Sequence, residues 1–280
     1  MLKEKTSGPT KQSFGLLTIR LIPAIPKSLS KMHKILSTYV LTTILLTGNC
    51  IAQDGKEILR KADAKLRGTT AVTEMSIKIV RPSWSREMTM KSWSKGNTLA
   101  MILVTSPVKE KGIVFLKRGK EIWNWIPNIE RSVKLPPSMM GQSWMGTDFS
   151  NDDLVKESSI VNDYTHKVAG EETINGRLCW KVEMTPKPDA AVVWGKIHTW
   201  VDKEEYMQMR TEFYDEDGYL ISTMSASEVK MLGGKLLPAR MEMVPEEEEG
   251  KKTIMTYKSM EFDKPIEDSF FTTQNMKRIR

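Results

Sequence analysis

The sequence is poor in cysteine and histidine, and this limits the chemistry that it can support. Its 280 residues contain two cysteines, and only Cys179 lies beyond residue 52, so no disulfide can form within residues 53–280. That part of the chain holds two histidines, His166 and His198, and neither has Cys, His or Glu neighbours at the spacing of metal ligands. The sequence therefore predicts no metal site and a domain stabilised by its own hydrophobic core.

Motifs of catalysis and nucleotide binding are also missing. The chain has no G-x-S-x-G or H-E-x-x-H motif, and no strand, glycine-rich loop and helix in the order of a Rossmann or P-loop site. We therefore predict no cofactor and a protein that is not an enzyme. An enzyme hypothesis would rest on Asp148, Asp152 and His198, which helix capping and a place on a sheet face explain more simply. Cys179 is best interpreted as a buried, unreactive thiol.

Most of the net charge lies in the first residues. The formal net charge is +7, but residues 1–52 hold seven Lys or Arg and one acidic residue. The remaining residues hold 35 basic and 34 acidic side chains. Binding to nucleic acid requires a surplus of basic charge on one face, so the composition predicts no nucleic-acid partner.

The N-terminal residues have the pattern of an export signal. An apolar run at 35–46, too short to span a membrane, precedes small residues at the −3 and −1 positions of a cleavage site after Ala52. This pattern predicts a periplasmic protein. A lipid anchor on Cys50, which ends a lipobox-like stretch, is the alternative. The predicted segments are an over-extended leader at 1–31, a signal peptide at 32–52 and a single domain at 53–280.

One helix is predicted at the start of the domain. Asp54 and Glu57 form a capping box, apolar residues recur on one face, and Gly68 ends the segment, which together indicate a helix over 55–67. From Ala71 onward, apolar and polar residues alternate with a period of two, as in half-buried strands.

Short turns separate the strand patterns. Asn175-Gly176 and Asp217-Gly218 are typical of hairpins, so the sequence predicts an antiparallel meander and not parallel β-α-β units. Besides the alternating residues of 75–79, 84–90 and 178–184, the strand-like runs are 98–105, 111–118, 120–126, 130–135, 164–169, 194–202, 206–215, 219–231, 236–244 and 252–262.

Two segments lack the strand pattern. Residues 136–159 combine an apolar ridge with Ser150 to Asp153, which can cap a short helix. The tail at 264–276 is expected to dock as a short helical turn through Ile266, Phe270 and Phe271.

These elements predict a mainly β (α+β) fold. A sheet this long must cover its apolar face or close on itself. Two helical segments are too few to cover the face of a flat sheet of this size. We therefore expect a strongly curved antiparallel half-barrel, with the N-terminal helix and a helical lid at 138–158 across its concave face. Such a half-barrel encloses either a packed core or a cavity.

Methionine usage bears on that choice but leaves it open. Residues 53–280 hold 17 of the 19 methionines and all eight tryptophans. Methionine is over-used on surfaces that accept ligands of variable shape, yet the sheet methionines are explained more simply as core residues. The segment around Trp144 is explained equally well as a movable lid and as a fixed plug of the barrel.

Several segments of the domain, in this order, are similar to a known family. They resemble the outer-membrane lipoprotein-sorting proteins of the LolA/LolB-like superfamily, in the branch associated with exporters. The segments that carry the resemblance are 112–138 (GIVFLKRGKEIWNWIPNIERSVKLPPS), 143–154 (SWMGTDFSNDDL), 198–218 (HTWVDKEEYMQMRTEFYDEDG), 236–243 (LLPARMEM) and 261–272 (EFDKPIEDSFFT).

The resemblance implies a curved sheet whose apolar cavity receives acyl chains beneath a lid. A basic residue on an early strand would hold the lid, and Arg86 is the nearest candidate. The implied partners are an acylated lipoprotein or lipid cargo and an inner-membrane exporter. Separately, we expect the protein itself to be a monomer. The residues expected to line the cavity are Met75, Ile77, Met88, Met90, Met101, Leu103, Phe115 and Trp180. The residues expected in the lid are Met139, Met140, Trp144 and Met145.

Three functional hypotheses follow. The first is a periplasmic carrier that acts by binding and moves its cargo toward the outer membrane. The second is a domain that senses lipids, or acts as a scaffold, beside a membrane exporter or regulator. The third, a lipid-processing enzyme, is the weakest because it has no catalytic motif.

Overall fold

A computed structural model describes residues 54–155 and 159–279. The predicted leader, the signal peptide and the Cys50 anchor lie outside the described residues.

Helix α1, Gly55–Arg67, forms where the sequence predicts it. The Asp54 side chain accepts a hydrogen bond from the Lys56 backbone N–H at 2.9 Å, which caps the first turn. Gly68 ends the helix with a φ of 63°, a left-handed conformation that glycine adopts without strain. The apolar face of α1, which includes Leu59, is buried in the main core.

Thirteen strands form one antiparallel sheet in the described part of the chain. They are β1 (Thr70–Arg81), β2 (Trp84–Lys95), β3 (Leu99–Ser106), β4 (Val114–Arg118), β5 (Glu121–Ile126), β6 (Arg131–Lys134), β7 (Tyr164–Ile174), β8 (Arg177–Pro186), β9 (Lys196–Asp202), β10 (Gln208–Tyr214), β11 (Leu220–Leu232), β12 (Lys235–Pro245) and β13 (Lys252–Phe262). Strands adjacent in sequence are neighbours in the sheet, except that β6 and β7 form its two edges and β1 pairs with β13. This is the meander that the short turns predict.

The sheet is strongly curved, as contacts of the segment between its edges show. Trp144 stacks on Phe115 of β4 with ring centroids 5.2 Å apart, and Asp153 accepts a hydrogen bond from Trp194, two residues before β9, at 2.8 Å. The Trp144 backbone N–H donates to the Phe149 carbonyl at 2.8 Å, so these two residues are adjacent in space. Asp153 lies four residues after Phe149, and four residues span at most about 14 Å. A flat sheet would hold β4 and β9 about 38 Å apart, at eight strand spacings.

The described residues between β6 and β7, 135–155 and 159–163, cross the inner face of the sheet and are called the insert below. The insert contains a 3-10 turn at Pro137–Met139 and two short helices, α2 (Asn151–Val155) and α3 (Ser159–Asn162). Ser150 and Asp153 exchange hydrogen bonds of 2.8 and 3.0 Å between side chain and backbone, the capping box that the sequence predicts. Most of its described residues are irregular, so the expected helical lid is corrected to a looped segment with a 3-10 turn and two short helices.

The C-terminal segment covers part of the outer face. A 3-10 turn at Asp268–Phe270 leads into helix α4, Thr273–Met276, and the segment packs against the outer side of β2 to β5. Phe271 and Met276 are fully buried there, and Ile266 is half-buried. The predicted docking of this tail is therefore confirmed.

Candidate binding cavity

A cavity of about 240 Å³ lies between the inner face of the sheet, α1 and the insert. A cavity of ~150 Å³ in a protein core is enough to bind a molecule the size of benzene. The half-barrel therefore holds both a packed core and an open space large enough for a ligand.

The walls of the cavity are mainly apolar and unusually rich in methionine. Flexible thioether side chains can adapt to ligands of different shape, which rigid branched side chains cannot do as well. The methionines that line the cavity are Met75, Met90, Met184, Met207, Met224, Met241, Met243, Met255 and Met260.

Six of the eight predicted wall residues lie in the inner core. Met75, Ile77 and Met90 line the cavity itself, and their contact with a ligand stays a prediction. Met88, Phe115 and Trp180 are buried in the same core but behind the cavity wall. Phe115 packs on Trp144 of the insert, and Trp180 packs on Tyr206, both of which line the cavity.

Met101 and Leu103 do not reach the cavity, which corrects their prediction as wall residues. In the β2–β3 pairing, Ile102 lies opposite Ser92, and both line the cavity. The neighbours of Ile102 therefore point to the outer face, where Met101 and Leu103 pack against Phe271 of the C-terminal segment. Both faces of β3 are covered, so residues 99–104 are all apolar and their pattern does not reveal which side faces inward.

The predicted lid residues have different surroundings. Trp144 is buried and lines the cavity, and Met145 packs against the main core. Met140 packs instead with Ile122 of β5, and Met139 is half-buried nearby. Only Trp144 of the four therefore faces the cavity.

Arg86 of β2 contacts the insert directly. Its guanidinium donates a hydrogen bond to the Met145 backbone carbonyl and a second, at 2.8 Å, to the Glu110 carboxylate. Met145 has a φ of 50°, a conformation that costs a residue with a side chain about 1 kcal/mol. Arg86 thus holds a strained turn of the insert against the start of β2.

Arg81 of β1 makes a second set of contacts with the same turn. Its guanidinium binds both oxygens of Asp148, at 2.9 and 3.1 Å, and the Gly146 carbonyl at 3.0 Å. Thr253 of β13 donates to the Asp148 carboxylate at 2.6 Å and accepts from the Asp148 backbone N–H at 2.9 Å. The contacts of Arg81 and Arg86 with residues 145–148 are called the clasp below.

The other end of the insert brings polar groups to the cavity wall. Asp153 accepts hydrogen bonds from the Trp194 indole N–H and the Ser150 backbone N–H, both at 2.8 Å. Burial raises the pKa of the Asp153 carboxyl above its ordinary value. Tyr164 donates to the Trp194 carbonyl at 3.1 Å, and burial, followed by the nearby Asp152 and Asp153 charges, raises the pKa of its phenol.

The residues of the enzyme hypothesis do not form one site. Asp152 lines the cavity, whereas Asp148 is held by Arg81 and Thr253. Ile197 and Thr199 line the cavity, so His198 between them lies on the opposite face of β9. No group of His, Cys, Asp and Glu side chains suited to a metal ion occurs among residues 54–155 and 159–279.

Sequence reasoning missed much of the cavity wall. Met241 and Met243 of β12, with Glu242 between them, show a period of two that could have identified them as inward-facing. Trp194 lies outside any strand, and its contact with Asp153 joins residues 41 positions apart. No local pattern predicts that contact.

Solved structures share this architecture. A domain assigned as an outer membrane lipoprotein-sorting protein from Vibrio parahaemolyticus matches with a TM-score of 0.72 at 22% identity, over 80% of this chain and 98% of that one. A DUF1329 family protein from Desulfovibrio piger gives 0.73 at 21% identity, over 80% and 100%. A LolA superfamily protein from Nitrosomonas europaea gives 0.68 at 23% identity, over 80% and 99%.

These similarities establish the class of fold. The chain has the half-barrel fold of the LolA superfamily, as the resemblance in its sequence predicts. A family model described as "Uncharacterized protein" matches residues 96–278, more than half of the chain, and the chain belongs to that family. A search of curated proteins gave no match. Within the described residues, no helix is both long and apolar enough to cross a membrane.

Proposed function

We propose that this protein is a periplasmic carrier that binds acyl chains of lipoproteins or lipids and moves them toward the outer membrane. It acts by binding and not by chemistry. The observation that carries the proposal is the apolar, methionine-rich cavity of about 240 Å³ between the sheet, α1 and the insert.

Burial of apolar surface would supply the affinity for such a cargo. Each methylene moved from water to apolar surroundings contributes about 0.8 kcal/mol, so eight methylenes contribute roughly 6 kcal/mol. Loss of ligand freedom offsets part of this gain. The adaptable methionine walls fit a cargo whose acyl chains differ in length and shape.

The insert serves as the lid, and the clasp holds it closed. Trp144 covers the cavity, and Arg86 and Arg81 fix the turn that follows it. Release then requires a membrane or partner that stabilises the empty protein more than the loaded one, because only differential affinity shifts such an equilibrium.

Cellular location and partners follow from the same proposal. The export signal favours the periplasm, with a lipid anchor on Cys50 as the alternative. The name of one similar structure, an outer membrane lipoprotein-sorting protein domain, favours lipoprotein cargo. An inner-membrane exporter is the partner that the resemblance in the sequence implies. The two edge strands favour a monomer, because each has a feature that hinders pairing with a second chain. β6 has only four residues and is followed closely by Pro136 and Pro137, and β7 has a bulge between Val168 and Gly170.

A cavity-filling variant tests the proposal. Ser92 lines the cavity from β2, and Ser85 lies on the opposite face of the same strand. We expect Ser92→Trp to weaken binding of a fluorescent fatty-acid probe at least tenfold, whereas the matched control Ser85→Trp binds like the wild type. Equal binding by both folded variants would rule out the cavity as the site.

A transfer assay separates a carrier from a lipid sensor. A carrier moves a labelled lipid from donor to acceptor vesicles at a rate that depends on its concentration. A sensor or scaffold would bind lipid or a partner stably and leave the transfer rate at its spontaneous value.

A further inference from the structure

Met224 of β11 differs from the other methionines in the cavity wall. Nine methionines line the cavity in the described part of the chain, and eight of them are at most 9% exposed. Met224 lines the same cavity but is only half-buried, packed against the main core. Solvent and small solutes therefore reach Met224 more readily than the other eight.

The neighbours of Met224 in the sheet belong to the same wall. Met224 lies opposite Thr211 of β10 and opposite Met243 of β12, and all three residues line the cavity. Side chains directly opposite each other in an antiparallel sheet have Cβ atoms about 5 Å apart. A change in the polarity of Met224 is therefore a change in the surface that a ligand in the cavity meets.

The side chains of these two neighbours have no hydrogen to donate to a new polar atom at Met224. The Thr199 hydroxyl donates to the Arg210 carbonyl at 3.1 Å, so the hydrogen bond of 2.9 Å between Thr199 and Thr211 uses the hydroxyl hydrogen of Thr211. Met243 has a thioether, which is not a donor. An oxygen added to the Met224 sulfur would therefore take its hydrogen bonds from water and not from these neighbours.

Oxidation is the reaction that adds such an oxygen to methionine. A peroxide transfers one oxygen atom to the thioether sulfur, which gives up two electrons, and the peroxide is reduced to water or an alcohol. The product, methionine sulfoxide, is polar where methionine is apolar. A methionine sulfoxide reductase reverses the change, because two thiols supply the electrons, become a disulfide and release the oxygen as water.

We propose that Met224 is a site of oxidation by peroxides, and that its sulfoxide excludes acyl chains from the cavity. This inference rests on the proposed function and gives the cavity a redox control. An acyl chain that packs beside the sulfoxide removes water from its oxygen, and a polar group without a partner in apolar surroundings destabilises the complex. The unoxidised thioether packs on the chain without this penalty.

Peroxide treatment of residues 53–280 tests the proposal. Hydrogen peroxide is removed, binding of the fluorescent fatty acid dansyl-undecanoic acid is titrated at pH 7.5, and peptide mass spectrometry gives the sulfoxide fraction at each methionine. We expect at least tenfold weaker binding, with a loss that follows the sulfoxide fraction at Met224. Unchanged affinity with Met224 oxidised, or weak binding that persists once methionine sulfoxide reductases have reduced Met224 again, would overturn the proposal.

Two leucine variants assign the effect to Met224. Met231 lies on the same strand but is 62% exposed and lies outside the cavity wall. Met224→Leu keeps the wall apolar and has no sulfur to oxidise, so its affinity should stay within twofold after the same treatment. The matched control Met231→Leu should lose affinity like the wild type.

An equal loss in treated Met224→Leu would contradict the assignment. It would place the effect at another methionine, such as Met139 or Met145 of the insert, which are also half-buried.

The outcomes separate this inference from the proposed function. If the untreated protein does not bind the fatty acid, the lipid cavity itself is refuted and the inference falls with it. If binding is equal before and after Met224 is oxidised, or if Met224 stays unoxidised while Met231 is fully oxidised, the carrier proposal stands and the redox control is refuted. The series measured with the wild-type protein decides the question even if a variant fails to fold.

Discussion

At the scale of single residues, burial controls the chemistry of Cys179. The thiol is fully buried, and burial, followed by the nearby Asp202 charge, raises its pKa to about 11. At pH 8 about one thiol in a thousand is then ionised, and only the thiolate reacts. We predict that native residues 53–280 do not react with Ellman's reagent within minutes at pH 8 and react fully in urea. Rapid reaction of the native protein would contradict this.

Burial also makes the stability of the domain depend on the charge state of two histidines. It lowers the pKa of His166, whose ring bonds the Ile160 carbonyl at 2.7 Å. It lowers the pKa of His198 as well, despite the nearby Glu183 and Glu212 carboxylates. As the pH falls through the ordinary histidine pKa of about 6.5, the unfolded chain takes up these protons first, so the folded state loses stability.

Urea unfolding at pH 7.5 and pH 5.5 measures this loss. We expect the unfolding midpoint to fall with pH in the wild type and to fall less in His166→Gln/His198→Gln, because the variant has no imidazoles to protonate. A larger fall in the variant than in the wild type would show that the histidines do not contribute in this direction.

At the scale of elements, the clasp fixes residues 145–148 of the insert against the sheet. Arg86 bonds the Met145 carbonyl, and a hydrogen bond from a charged donor contributes about 1.5–3 kcal/mol. Because Arg86 is partly exposed, we expect a smaller effect, roughly a tenfold rise in amide hydrogen exchange over residues 142–149 in Arg86→Ala. The matched variant Arg118→Ala, at the exposed end of β4, should leave exchange unchanged. Equal exchange in the wild type, Arg86→Ala and Arg118→Ala would show that Arg86 does not hold the insert.

The C-terminal segment is a second element with a testable role. Phe271 is fully buried on the outer face of β2 to β5, whereas its neighbour Phe270 is half-buried and packs on Trp93 at 5.4 Å. We predict that Phe271→Ala lowers the free energy of unfolding by about 3–5 kcal/mol, and that Phe270→Ala has a clearly smaller effect. Similar losses for both variants, measured by urea unfolding, would show that the segment is not anchored by Phe271.

Local sequence patterns predict where the helix and strands lie better than which side of each strand faces the cavity. The helix at 55–67 and the thirteen strands follow from capping residues, period-two alternation and glycine turns, all of which act over a few residues. The orientation of β3 could not be predicted, because it depends on a tail that returns about 165 residues later to cover its outer face. The irregular insert could not be predicted either, because its shape depends on Arg81, Arg86 and Trp194 in other elements.

At the scale of the whole molecule, the fold brings distant parts of the sequence together. β1 and β13, the first and last strands, pair at the centre of the sheet, while the insert joins the two edges in the middle of the chain. The cavity is lined from the first helix to the last strand, from Ala62 to Met260. The curved shape follows from the number of strands and the short insert, but the cavity within it is a property of the complete packing.

Whether the cavity carries lipid can be measured on the purified protein. The measurement is native mass spectrometry with lipid extraction, on residues 53–280 purified from a periplasmic fraction. We expect a co-purifying lipid or acylated peptide, whose release after extraction leaves the mass of the bare protein. A bare mass from the start, together with no uptake of an added fluorescent fatty acid, would contradict it and would mean that the methionine walls are only a loosely packed core.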